Sequence, residues 1–228
     1  MAKFLRFLRL LFRLLVLAGF AYGIAVGVML FVWREVPPVS VLMLGRWALL
    51  EPVDRVWVPL DRISGHLPAA VLMSEDGQFC YHHGVDWDAL NEVITQAGER
   101  GPKRGASTVP MQTARNLFLG TWRSAIRKGI EIPEALALDA LWPKRRIIEV
   151  YLNIAEWGDG IYGAEAAAQH YFGKSAKSLT LREAALMATA LPNPKLRNPA
   201  HPTPHQRALA SIIVRRAAVA DQWLDCIR

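Results

Sequence analysis

The sequence predicts a mainly α-helical domain behind a single membrane-spanning helix, and three observations point there. Residues 14–33, LLVLAGFAYGIAVGVMLFVW, hold no charge over 20 positions. A helix of that length rises about 30 Å, roughly the hydrocarbon thickness of a bilayer. From Leu67 onward nearly every stretch places apolar residues at helical spacing. Alternating, strand-like patterns are scarce, and no internal repeat or low-complexity tract is present. At 228 residues the chain can bury one substantial core and is short for two.

Taking the elements in order, Lys3, Arg6, Arg9 and Arg13 precede the span, with no acid among the first 13 residues. By the positive-inside rule residues 1–13 form a basic cytoplasmic tail, and everything after Arg34 lies across the membrane. The rival is a cleaved signal peptide, whose apolar region runs about 7–15 residues and ends on small side chains. This run is longer and closes on Phe31, Val32 and Trp33, which favours a retained anchor over 14–33. Gly19, Gly23 and Gly27 line one helix face, as a helix–helix contact requires. Glycine is also simply common in membrane helices, and both readings stand.

Residues 34–60 carry Pro37, Pro38, Pro52 and Pro59 with little helical period, so they read as an extended connection to a domain over 61–228. In LPAAVLMSED, Pro68 suits a first helical position. Pro133 interrupts RKGIEIPEALALDALW and predicts a helix start or a kink near Glu131. KRRIIEVYLNIAEW puts Ile147, Ile148, Tyr151 and Ile154 on one stripe. Thr180 and Glu183 have capping-box spacing and open a helix that Pro192 stops. A last helix is expected over about 205–224, with Leu209, Ile212, Ile213 and Val219 inward.

The net charge is +7, and the first 13 residues supply four of these charges. The remainder falls short of the clustered excess that a nucleic-acid-binding domain needs. Local clusters at Arg123/Arg127/Lys128 and Lys144/Arg145/Arg146 suit an anionic or phosphorylated lipid, with solvated faces as the plainer alternative. Two cysteines, Cys80 and Cys226, do not make a disulfide framework; unpaired, buried thiols are expected.

Among chemical motifs, His82 and His83 are adjacent and point apart on any regular element, and no HExxH, Cys/His cluster, GxSxG or Walker loop occurs. What remains is a set of polar residues within helical segments: Glu75 and Asp76; Ser107, Thr108 and Gln112; Arg115 and Asn116; Arg123, Arg127, Lys128 and Glu131. Carboxylates with arginines and hydroxyls suit a reaction that needs a proton acceptor and a clamp for a departing phosphate.

Four stretches then carry a resemblance: EDGQFCYHHGVD (75–86), GASTVPMQTARNLF (105–118), RKGIE (127–131) and KRRIIEVYLNIAEWGDGIYGAEAAAQHYFGK (144–174). In order and spacing they resemble the consecutive motifs of the peptidoglycan glycosyltransferase family, with a further block at 179–194 ending in LPNP. The similarity spans roughly residues 60–200. It implies a lysozyme-like helical glycosyltransferase domain that polymerises lipid II, with the lipid-linked glycan as donor and inversion at the anomeric carbon. Without SxxK or KTG, a monofunctional enzyme without transpeptidase activity is expected.

By the resemblance, Glu75 is the general base, Asp76 holds local geometry, and Glu131 is a second essential carboxylate near the leaving pyrophosphate. Arg115 and Arg123 fall on phosphate-contacting positions, Arg115 replacing a more usual lysine. Ser107, Thr108, Gln112 and Asn116 orient substrate, and Arg127 and Lys128 contact it or serve as salt-bridge partners. Met111 and Ile130 depart from the family pattern, where glutamine and lysine are common. Tyr151, Asn153, Gly158, Gly163, Tyr171 and Phe172 match as fold and groove-wall residues. No cofactor is required, with room for a magnesium or manganese ion at the pyrophosphate. The expected partners are lipid II, the growing lipid-linked glycan, the membrane and other cell-wall synthesis proteins. The expected location is the inner membrane, single-pass, with the domain in the periplasm. A lytic transglycosylase or muramidase, and an inactive membrane-tethered scaffold, are the alternatives.

Overall fold

The computed structural model describes residues 2–100, 105–122 and 124–228. It divides after Val36 into two compact units. The first is a single helix, α1 (Ala2–Trp33), long and apolar enough to cross a membrane.

The second unit begins at Pro37 and is mainly helical. The supposed extended connection is not extended throughout, because Val41–Ala48 form α2. Ser40 caps it, its hydroxyl accepting from Met43 N at 3.3 Å. The helix is short, and the flanking prolines mask its period. Only Met43 is buried along it, while Leu44, Trp47, Leu49 and Leu50 are exposed. The rest of the segment is tied to the domain by Asn153. Its amide accepts from Val58 N at 2.9 Å and donates to Val58 O at 2.8 Å. Glu149 accepts from Leu60 N at 2.8 Å.

The remaining helices are α3 (His66–Glu75), α4 (Trp87–Arg100), α5 (Val109–Ala114), α6 (Ala125–Leu141), α7 (Lys144–Ile154), α8 (Ala164–Phe172), α9 (Leu181–Ala190) and α10 (Pro204–Ala217). A single π turn, Arg115–Leu119, continues α5. One group packs α3 against α9 and α10; another packs α5 against α6 and α7. On α7 the expected stripe of Ile147, Ile148, Tyr151 and Ile154 is fully buried. Burying one such side chain is worth about 1.5–3 kcal/mol. The Thr180–Glu183 capping box opens α9 as expected, and the helix ends at Ala190, ahead of Pro192.

A small sheet joins the ends. Its order is β1 (Asp54–Arg55), β3 (Ile161–Tyr162), β2 (Glu156–Gly158), with β1 parallel and β2 antiparallel to β3. Strands of two or three residues are too short to show alternation in sequence.

Three other expectations are corrected. Pro68 is the third residue of α3, not the first. Of the helix start or kink expected near Glu131, the start is not there: Pro133 lies inside α6, which starts eight residues earlier at Ala125 behind the Ser124 cap. Pro133 and Gly129, whose carbonyl faces the proline ring one turn back, are both exposed, so water can take the orphaned acceptor. The last helix stops at Ala217, giving way to short 3₁₀ turns at Ala220–Trp223 and Asp225–Ile227. Its inward residues are Gln206, Ala210 and Ile213, whereas Ile212 and Val219 face outward.

The cysteines also differ from expectation: Cys80 and Cys226, 146 residues apart, form a disulfide. Sequence spacing carries no information on such a long-range pairing, which depends on the fold returning the tail to the loop after α3. Arg145 reinforces the return, donating to Ile227 O at 2.9 Å.

Two glycine-level and covalent constraints lead to measurable outcomes. Gly84 has φ +79°, and a Cβ there would lie 2.5 Å from Ala135 O on α6. Gly84→Ala is expected to cost about 1–3 kcal/mol, read from urea denaturation. Cys226→Ser is expected to cost about 2–4 kcal/mol, and reductant should lower wild-type stability but leave the variant unchanged.

Candidate active site

The adjacent acids at the end of α3 divide their work. Asp76 is the C-cap, and its carboxylate turns inward. It accepts from Val109 N at 2.7 Å, one of the unpaired donors at the start of α5, and meets His82 Nε2 at 2.9 and 3.0 Å. His82 is therefore a structural partner, as its sequence context suggested. Fixing α3 to α5 in this way aims the neighbouring Glu75 across the junction.

Glu75 accepts from Gln112 Nε2 at 3.1 Å and from Ser74 Oγ at 3.5 Å. Gln112 Oε1 in turn accepts from Tyr151 OH at 3.0 Å. Burial pushes the Tyr151 phenol far above its ordinary value, aided by the nearby charge of Glu75, so its hydroxyl stays a donor. The Gln112 amide thus has one consistent orientation, with its NH₂ toward Glu75. Burial raises the Glu75 carboxyl above its ordinary value, opposed by the Gln112 hydrogen bond and by the positive charges of Arg115 and Arg197. The net result is a poorly solvated, more basic carboxylate.

Gln112 also lines a cavity with Arg115 and Arg127, two members of a cation cluster. Arg127 donates to both Trp122 O and Glu131. Lys128 Nζ donates to Ser107 Oγ at 2.8 Å and Glu131 Oε2 at 3.1 Å. Burial, with repulsion from Arg115 and Arg127, lowers the Lys128 ammonium to about 8. Arg115 sits on the π turn, its Nε buried without a hydrogen-bond partner among the described residues. Three cations therefore gather around one buried carboxylate, and the excess positive charge suits a bound polyanion.

Two cavities flank these groups. A larger one of about 640 Å³ is lined by Gln112, Arg115, Asn116, Arg127 and Tyr151, with Arg46 and Lys195 at its far side. A smaller one of about 350 Å³ is lined by Glu75, Asp76, Ser107, Thr108 and Trp223. Glu75 belongs to the second cavity, and its partner Gln112 to the first.

The structure thus brings together nearly all the residues singled out in the sequence. Glu131 is among them but buried, with both carboxylate oxygens engaged by Arg127 and Lys128. Thr108 turns inward: it caps α5, accepting from Met111 N, and donates to Gly84 O at 2.6 Å. Met111 is fully buried beside Val85 and Ala135, which accounts for an apolar residue where the resemblance led to glutamine being expected. Arg123 lies outside the described residues. Sequence reasoning missed Arg46, Lys195 and Trp223 as cavity walls. Arg46 and Lys195 both reach Asp159, at 2.8 and 3.3 Å, from segments far apart in the chain.

Comparison with known proteins defines the class. The Transglycosylase family profile matches residues 43–223, and the chain belongs to this family. Its relatives include proteins named biosynthetic peptidoglycan transglycosylase. That of Brucella suis biovar 1 is 54% identical over 193 residues, covering 85% of this chain and 86% of its own length. That of Rhodospirillum centenum is 52% identical over 215 residues, covering 93% of each. That of Agrobacterium fabrum is 52% identical over 190 residues, covering 83% and 84%.

The raised Glu75 pKa has a consequence for stability. Such a group favours the folded state below its unfolded pKa of about 4.3, and that contribution is lost as pH rises through the folded value. Glu75→Gln is therefore expected to melt at or above the wild-type temperature at pH 7.5, the difference vanishing in acid. Differential scanning calorimetry at the two pH values reads this directly.

Proposed function

We infer that the chain is a monofunctional peptidoglycan glycosyltransferase of cell-wall synthesis, which polymerises lipid II into β-1,4-linked glycan with release of undecaprenyl pyrophosphate. The observation that carries this reading is a buried, basic carboxylate hydrogen-bonded to Gln112, which itself lines the cavity holding Arg115 and Arg127. Membership of the transglycosylase family supports it.

In this reading the Glu75 carboxylate takes the proton from the 4-hydroxyl of the acceptor GlcNAc as that oxygen attacks C1 of the donor MurNAc. The C1–O bond to pyrophosphate breaks in the same step, inverting the anomeric centre, and its electron pair leaves on the phosphate oxygen. Arg115, Arg127 and Lys128 receive that charge, joined by Arg123. Guanidinium groups suit it because their planar fork engages two phosphate oxygens at once. Glu131 acts here as a positioning residue, pinning Arg127 and Lys128. Gln112 orients the Glu75 carboxylate through its amide, at a small cost to the basicity that burial gives it. The reaction as read here needs no resident cofactor, and Glu131, with both oxygens engaged by Arg127 and Lys128, is not free to hold a magnesium or manganese ion.

Helix α1 serves as the anchor, inner-membrane and single-pass with its basic end cytoplasmic, which leaves the domain in the periplasm. Confining enzyme and lipid substrate to one surface raises the effective concentration without any new contact. The exposed apolar residues Leu44, Trp47, Leu49 and Leu50 suit contact with the lipid interface.

Incubation of the full-length protein in detergent with labelled lipid II should give a glycan ladder on gels. Glu75→Gln should reduce it about 10²–10⁴-fold, the usual worth of a positioned base. Retention of most activity in that variant would remove the assignment, and release of soluble muropeptides from sacculi would favour a lytic enzyme instead. The pH profile should have an acid limb above the ordinary glutamate value, where Glu75 becomes deprotonated, and an alkaline limb near about 8, where Lys128 loses its charge. Lys128→Arg should shift only the alkaline limb upward.

A further inference from the structure

The cavity that holds Glu75 has a wall the proposed mechanism does not use. Trp223 lies on a 3₁₀ turn near the end of the chain, 148 positions after Glu75 in sequence, yet lines the same 350 Å³ cavity. Its placement is over-determined. The Cys80–Cys226 disulfide ties the following turn to the loop just past Asp76. Tyr81, next to Cys80, packs edge-to-face on the indole, with ring centroids 5.6 Å apart, and its hydroxyl donates to Gln222 O at 3.2 Å. Arg145 holds the turn from the other side through Ile227 O. Despite these fixings the indole remains 37% exposed. A large apolar ring held rigidly and left partly open beside a reactive carboxylate is arranged to receive something.

The chemistry of the cavity indicates what. Among its described lining residues there is no lysine or arginine; Glu75, Asp76, Asp86 and Glu92 supply carboxylates, and Gln78 and Ser107 supply polar groups. Such a lining disfavours a pyrophosphate and suits an uncharged, hydroxyl-rich ring, with acceptors for its hydroxyls and an aromatic face for its axial C–H groups. Arg115 and Arg127 line the other cavity, and Lys128 meets this one only through Ser107, so an in-line displacement places the incoming sugar on the Trp223 side.

We propose that Trp223 is a sugar-stacking residue which, held in place by the Cys80–Cys226 disulfide and Tyr81, receives a hexosamine ring of the acceptor beside Glu75. The proposal rests on the glycosyltransferase reading but adds a contact contributed by the C-terminal turn. Its energetic role is orientation: a ring stacked on a rigid indole presents its 4-hydroxyl to Glu75 in a narrow range of angles.

The test uses full-length protein in detergent, labelled with 5-fluorotryptophan. The chain has eight tryptophans, and the ¹⁹F resonance absent from Trp223→Phe identifies Trp223. The probe is a soluble GlcNAc–MurNAc tetrasaccharide with neither lipid nor pyrophosphate. A saturable shift of the Trp223 resonance is expected; no shift at saccharide concentrations up to tens of millimolar would overturn the proposal. In lipid II polymerisation, Trp223→Ala should raise KM about five- to tenfold with a smaller change in kcat, and Trp223→Phe should restore KM to within about threefold. An unchanged KM in Trp223→Ala would equally overturn it. If Trp223→Ala does not fold, the resonance shift and the Phe variant still decide. Loss of polymer in the wild type, or its persistence in Glu75→Gln, would count against the glycosyltransferase reading, whereas a still Trp223 resonance in an active wild type counts against the stacking role alone.

Discussion

The whole site hangs on one carboxylate that does no chemistry in the proposed mechanism. Asp76 joins the end of α3 to the first amide of α5, 33 residues on, and to His82 in the following loop, so three segments converge on two oxygens. A buried carboxylate left without such donors would carry the full cost of desolvation. Satisfied by a helix-terminal N–H and an imidazole, it instead becomes a rigid joint. The alignment of Glu75 with Gln112 follows from that joint, because each is the neighbour of a residue it fixes or lies one turn beyond it.

Around the joint, the domain keeps unlike electrostatic environments close without letting them cancel. Glu75 remains basic because burial outweighs Gln112, Arg115 and Arg197. Among the described residues the buried Glu131 is the carboxylate that pairs with Arg127 and Lys128. A direct contact between Glu75 and that cluster would lower the carboxyl and spend the cations together. The neutral amide of Gln112, itself oriented by the Tyr151 phenol, is the group that meets Glu75 instead. The arrangement keeps charge buried at a cost to stability, as functional sites commonly do.

Much of this was legible before any coordinates. The membrane-length helix, the α7 stripe and the Thr180 cap depend on local pattern, and local pattern is what a sequence displays. The site residues were legible as a group because their motifs fall in a recognisable order. Burial inverted some details: Thr108 and Glu131 face inward, and Met111 is core. Helix α2 escaped notice because the prolines around it interrupt the period, and the sheet because its strands are too short to alternate. Arg46, Lys195 and Trp223 could not be found locally, since each reaches its cavity only through a long-range return of the chain.

The disulfide gives that return a place in the life of the molecule. Its two sulfurs come from opposite ends of the catalytic domain, so the bond can close only after the residues between them have been made and delivered to an oxidising compartment. In reducing surroundings the same sequence would keep two thiols and a less securely tethered C-terminal turn. The wall beside Glu75 is thus sealed late, by an oxidant rather than by the chain alone, and on the periplasmic placement proposed above the cleft would reach its final shape only after export.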